Sequence, residues 1–176
     1  PGKKLIDHLT GTAELAQKLV DRHGLNDLAL NVALAAYTHD LGKVDLDFQK
    51  HLYGKGRGVE HSAPSSFFTL TQKQGEQSLF ELFFSAEAVR RHHSQIDNWD
   101  VIYPYWTAHR GSLSKIGSDM KKLVPNWPSE IDPQEWRCFI DEIFDLDADE
   151  GLFHFYWLKL RTILSLLVAG DRMDAI

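Results

Sequence analysis

His8, the adjacent His39-Asp40, His61, the adjacent His92-His93 and Asp171 recur along the chain in that order. Imidazole nitrogens and carboxylate oxygens, with no thiolate, are the donors of hydrolytic sites that hold two divalent cations. The His39-Asp40 pair opens the run His39-Asp40-Leu41-Gly42-Lys43, which places a cation one helical turn beyond the acid. Hydrolysis of a phosphate ester is the chemistry this set suits. Nine histidines in 176 residues is only somewhat rich, so pairing and apolar settings carry more weight than the count.

Helical elements must position these groups. Leu5, Leu9, Ala13, Ala16, Leu19 and Val20 share one stripe, which predicts a helix over 5–23 stopped by Gly24. A second helix is expected over 27–40, capped by Asn26 or Asp27, buried on most sides through Val32-Ala33-Leu34-Ala35-Ala36 and ended by Gly42. Residues 54–58, with three glycines, read as a flexible loop. Ser62 and Pro64 suggest a helix start just after His61. A strongly apolar helix over 79–91 delivers His92-His93 at its end. An aromatic loop is expected over 98–105, then helices near 112–123, 135–144 and 152–171, with Pro125, Pro128 and Pro133 between them. No run alternates as a strand does, so the expected fold class is all-α.

Each candidate has a plainer reading. His8 points with the apolar stripe of its helix, where a lone histidine is more often a satisfied core residue. Asp171 falls four residues after Leu167 on an apolar face, and a buried carboxylate there needs a partner such as His8, Arg172 or a metal. A histidine at a helix C-terminus is favoured by the helix dipole, but the carboxylate of Asp40 is not unless a cation compensates. Coincidence explains any one of these features more easily than all of them in order.

Length, composition and charge set the outer bounds. The chain is most simply one domain, 1–176, long enough to bury a core, and 43% hydrophobic with 25% charged residues is ordinary globular composition. Cys138 is the only cysteine, which excludes an internal disulfide and fits a reducing, cytoplasmic setting. The apolar stretch 152–169 contains His154, Lys159 and Arg161, so a core helix is expected there rather than a membrane span. The chain starts without methionine, as expected of a processed or excised piece of something longer. A net charge of −6 argues against a broad nucleic-acid surface but leaves room for a narrow one at Lys3-Lys4, Lys55 with Arg57, Arg90-Arg91 or Lys121-Lys122. For each such cluster a solvated surface is the plainer reading.

The ordered set His, His-Asp, His, His-His, Asp resembles the HD superfamily of metal-dependent phosphohydrolases. Within it, the chain looks most like the HD nuclease domain of the CRISPR type I effector nuclease-helicase, the Cas-three family. His8-Leu9, His39-Asp40-Leu41-Gly42-Lys43 followed by Phe48-Gln49, His61-Ser62, His92-His93 and Asp171-Arg172 carry the likeness, which spans residues 8–172. Gly170 departs from the alanine usual before the last aspartate, and the aromatic segment from Trp99 to Trp106 looks particular to this chain.

The resemblance implies a compact helical fold around a two-metal site. His8, His39, Asp40 and Asp171 would hold one cation, and His61, His92 and His93 the other, with Asp40 bridging. Lys43 would stabilise negative charge on the phosphate, and Ser62 and Arg172 are weaker candidates for supporting or phosphate contacts. Nitrogen-rich ligation favours manganese, nickel, cobalt or iron over magnesium. The implied reaction is hydrolysis of single-stranded DNA in antiviral interference, and the implied partners are an RNA-guided surveillance complex and a helicase domain or subunit, with no membrane. Two rivals stand beside it. A phosphodiesterase for cyclic or free nucleotides shares most ligands, but that branch tends to carry a glutamate after the histidine pair and a Gly-Tyr-Pro signature, whereas this chain reads His92-His93-Ser94-Gln95 and has no Gly-Tyr-Pro. In a non-catalytic interaction module, the ligands would brace the core and the aromatic loop would bind a partner.

Overall fold

Leu9, Ala13, Ala16 and Val20 form the buried face of the first helix, α1 (Leu5–His23). Gly24 ends it at φ 66°, the left-handed region, and its N–H donates to the Asp21 carbonyl. The structure, a computed structural model, describes residues 3–55, 58–73, 76–128 and 130–175. Among these the further helices are α2 (Ala29–Thr38), α3 (Leu46–Leu52), α4 (Ser62–Leu70), α5 (Leu79–Arg91), α6 (Trp99–Ala108), α7 (Arg110–Leu123), α8 (Pro133–Ala148) and α9 (Glu150–Asp174), with no strand. The fold is all-α, as the periodicity predicts.

Helices α1, α2, α5 and α9 pack on one another, α4 lies against α5 and α7, and α8 packs against α5, α6 and α9. Val32, Phe67, Phe83, Val89, Trp106, Ile163 and Leu167 are fully buried where these helices meet. Each such side chain contributes about 1.5–3 kcal/mol of burial. This packing fixes the ends of α2 and α5, the start of α4, the first turn of α1 and the last turn of α9 relative to one another, and the candidate ligands sit there.

Several expectations need correction. The helix expected over 27–40 is shorter: a 3-10 turn, Asn26–Leu28, precedes α2, and neither Asn26 nor Asp27 caps α2 through its side chain. It ends at Thr38, so Asp40 lies outside it, and Gly42 falls within a second 3-10 turn, Leu41–Val44. Gly42 donates its N–H to Ser65 Oγ at 2.8 Å, and a Cβ there would overlap the His61 carbonyl. The tight turn exists because the backbone must pass against α4. The short α3 was not expected, although Asp45 caps it by accepting from Asp47 N and Phe48 N. Gly54 adopts φ 71° as the glycine-rich loop requires, while Gly56 and Arg57 of that loop lie outside the described residues.

The aromatic loop expected over 98–105 is the helix α6, with Pro104 inside it. A proline in a helix interior costs about 3 kcal/mol. Trp99, Ile102 and Trp106 share one helical face and are all buried, which outweighs that cost. In α9, the second half is core, through Leu160, Ile163, Leu164, Leu166 and Leu167. The first half differs from the expected core helix: Leu152, Phe155 and Leu158 are exposed, and α9 is long and apolar enough to cross a membrane by length and composition.

Candidate metal centre

The ends of five helices deliver the candidate ligands. His39 and Asp40 follow α2 directly, His61 precedes the first residue of α4, and His92 and His93 follow α5. His8 lies in the first turn of α1 and Asp171 in the last turn of α9. The residue at the centre is Asp40, 1% exposed. Its Oδ2 lies 3.4 Å from His8 Nε2 and 3.6 Å from His39 Nε2, while its Oδ1 lies 3.0 Å from His61 Nε2 and 3.4 Å from His92 Nε2. One carboxylate therefore faces two pairs of imidazoles with two different oxygens. Asp171 joins the first pair, its Oδ1 being 3.1 Å from His8 Nε2 and 3.6 Å from His39 Nε2. His93 joins the second, with its Nε2 3.1 Å from His61 Nε2.

Backbone carbonyls fix two of the rings. His39 Nδ1 donates to the Ala36 carbonyl at 2.8 Å, and His92 Nδ1 to that of Val89 at 2.6 Å. A neutral ring protonated on Nδ1 carries its lone pair on Nε2. Both Nε2 atoms are buried with no hydrogen-bond partner, and so is Asp40 Oδ1. Leaving such a group unsatisfied costs about 1–3 kcal/mol. Three orphaned acceptors aimed into one space fit a cation. The donors, all nitrogen and oxygen, fit divalent ions, and two overlapping groups have the spacing to hold one: His8, His39, Asp40 and, sharing that aspartate, Asp40, His61, His92, His93.

The electrostatics agree with that fit. Burial alone would raise the Asp40 carboxyl, but His61, His92, His39 and Lys43 around it hold it well below the usual carboxylate range. His39 beside Asp171 lowers that carboxyl too. Burial, followed by the nearby His92 and His61, pushes the His93 imidazole down to about 4, so its lone pair is free at neutral pH.

Lys43 is not a solvated surface lysine. Its ammonium pairs with Asp40 Oδ2, and its carbonyl accepts from Gln49 Nε2 at 2.5 Å. It lines a cleft of about 460 Å³ together with Lys3, His8, Asp40, Gln49 and the apolar Leu5 and Leu52. Ser62 is buried and Arg172 exposed, and among the described residues neither bonds to the ligands.

Arg90 and Arg91, read from sequence as a basic point, are held by acids. Fully buried Glu87 accepts from Arg90 Nε and Nη2 at 2.7 and 2.6 Å and from Trp106 Nε1 at 2.7 Å, and Arg91 pairs with Asp97. This network braces the chain that leads into His92 and His93. Glu87 and Asp174 were not singled out from sequence. The available signals were a lone acid in an apolar helix, three residues before an arginine, and a second aspartate one turn after Asp171.

A family model described as HD domain matches residues 5–122. That span holds His8, His39-Asp40, His61 and His92-His93 and ends before α8, so Asp171 enters the centre on its geometry alone. Comparison with curated proteins and with solved structures gives no match.

Proposed function

Because the chain belongs to the HD domain family of metal-dependent phosphohydrolases, we propose that it hydrolyses phosphodiester bonds of single-stranded DNA with two divalent cations held across Asp40. The observation that carries this reading is the division of the Asp40 oxygens between two sets of imidazoles. His8, His39 and Asp171 would hold one cation with Oδ2, and His61, His92 and His93 the other with Oδ1. Bound there, two such ions supply a water activated at neutral pH and charge to clamp the attacking and leaving oxygens. The chain's own residues do the rest. Carbonyls of Ala36 and Val89 keep His39 and His92 in one tautomer, and Lys43 presents its charge to the phosphate side of the cleft.

An open cleft lined by lysines, an amide and the apolar Leu5 and Leu52 suits a strand whose phosphates meet cations and whose bases meet hydrocarbon. The likeness of His39-Asp40-Leu41-Gly42-Lys43 to the CRISPR nuclease domain adds the setting of antiviral interference, with a surveillance complex and a helicase as partners. A non-catalytic module docking through an aromatic loop is disfavoured, because Trp99, Ile102 and Trp106 are buried in α6.

The test is cleavage of circular single-stranded DNA with manganese or nickel, and with EDTA. We expect the circle to be opened with either metal, spared with EDTA, and duplex to be attacked much more slowly. Turnover of a cyclic dinucleotide with no DNA cleavage under any metal would overturn the single-strand reading in favour of a nucleotide phosphodiesterase.

A further inference from the structure

Two carboxylates one turn apart on α9 bracket the two nitrogens of a single histidine. Asp171 Oδ1 lies 3.1 Å from His8 Nε2, and Asp174 Oδ2 lies 2.7 Å from His8 Nδ1. Asp174 is well enclosed, its side chain 6% exposed. Its other oxygen, Oδ1, accepts from Lys3 Nζ at 2.5 Å, so both oxygens have fixed partners. The sequence makes room for this: Gly11, one turn after His8 on α1, has no side chain where Asp174 sits, and a Cβ there would overlap Asp174 Oδ1 and lie 2.8 Å from Asp174 Cγ.

We propose that Asp174 is a positioning residue for the metal centre, holding His8 with its proton on Nδ1 and its Nε2 lone pair aimed at the space shared by His39, Asp40 and Asp171. The physical reason is specific to this histidine. His39 and His92 are fixed by the carbonyl three residues earlier, each at the end of a helix. His8 lies inside the first turn of α1, and its Nδ1 meets Asp174 Oδ2 from the last turn of α9 rather than a carbonyl of its own helix. An ionised carboxylate only accepts, which forces the proton onto Nδ1, and it makes Nε2 a stronger donor to a cation. Lys3 in turn orients the carboxylate. The arrangement ties the last turn of α9 to the start of α1 through a ligand rather than through the core.

This inference rests on the reading of His8 as a ligand, and the experiment separates the two. Calorimetric titration of the metal-free protein with Mn2+ is compared for wild type, Asp174→Ala, Asp174→Asn, Gly11→Ala and His8→Ala, alongside thermal unfolding of each. Removing a partner of this kind weakens metal binding about 10–100-fold. Asp174→Ala is expected to show that loss at one of two sites and to add little in a His8→Ala background. Asp174→Asn keeps an acceptor oxygen for Nδ1 and should fall between wild type and the alanine variant. Gly11→Ala retains every ligand and Asp174 itself, and alanine favours helix over glycine. It should nonetheless lose Mn2+ affinity by displacing the carboxylate. Full affinity in both Asp174→Ala and Gly11→Ala, with only a lowered melting temperature, would reduce Asp174 to a clamp between α1 and α9 and overturn the inference. A wild-type protein that binds no Mn2+ would overturn the metal-centre reading and this inference with it.

Discussion

Gly42 lies against the backbone carbonyl of His61 with no space for a Cβ, and its flank meets Pro64 Cγ, which a Cβ would approach to 2.7 Å. Two candidate ligand segments, the turn after Asp40 and the start of α4, are thus in backbone contact. Gly42→Ala must push them apart, since the obstructing atom is main chain. Overpacking of this kind costs about 1–3 kcal/mol. We expect a lower urea midpoint for Gly42→Ala together with weaker binding at the His61 side. An unchanged midpoint would show that the turn accommodates the methyl.

Lys43 separates catalysis from structure. Its side chain is part exposed in the cleft, so Lys43→Ala should fold and retain metal. Loss of one preorganised charge commonly lowers the rate by ~10²–10³, about 3–4 kcal/mol. Single-turnover DNA cleavage measures it, and wild-type activity in the variant would remove Lys43 from the mechanism.

His93 gives the metal-free protein a pH dependence of known sign. Its imidazole is pushed down to about 4, chiefly by burial, from the ordinary 6.5 it regains on unfolding. Between these values the unfolded chain binds a proton that the folded chain does not, so stability falls as pH drops through this window and is level above it. Urea midpoints measured from about pH 7 to about pH 5 should therefore fall more steeply for wild type than for His93→Gln. Equal slopes would show that His93 titrates alike in both states.

Glu87 should be costly to remove. Truncation leaves the Arg90 guanidinium, 8% exposed, without its bidentate partner and Trp106 Nε1 without an acceptor. Breaking a buried pair from one side costs about 3–5 kcal/mol. Chemical denaturation of Glu87→Ala reads this directly, and a loss below about 1 kcal/mol would mean the arginine finds solvent instead.

What was legible in the sequence follows from how far each signal reaches. Local patterns were enough for α1, whose stripe runs up to the stop at Gly24, for the strongly apolar α5, and for α7, expected near 112–123 and found at Arg110–Leu123. The candidate ligands could be picked out because each sits at a helix end or on an apolar face, and the structure brings all of them around Asp40. Pro104 hid α6, since its local penalty says nothing of the burial that Trp99 gains against Phe83 and Phe153, or Trp106 against Phe83 and Phe139. The seven-residue α3 exposes Leu46 and Leu52 and so carries no inward stripe. Asp174 escaped notice because its partner, His8, is 166 residues away, a pairing that no local spacing encodes.

Metal content measured after loading with Mn2+ and desalting reads out whether the Asp40 carboxylate serves two cations. Wild type is expected to carry two ions per chain, Asp40→Ala to lose both, and His92→Ala to lose mainly one, because Asp40 faces both ligand sets while His92 faces one. Two ions retained by Asp40→Ala would contradict the bridging arrangement.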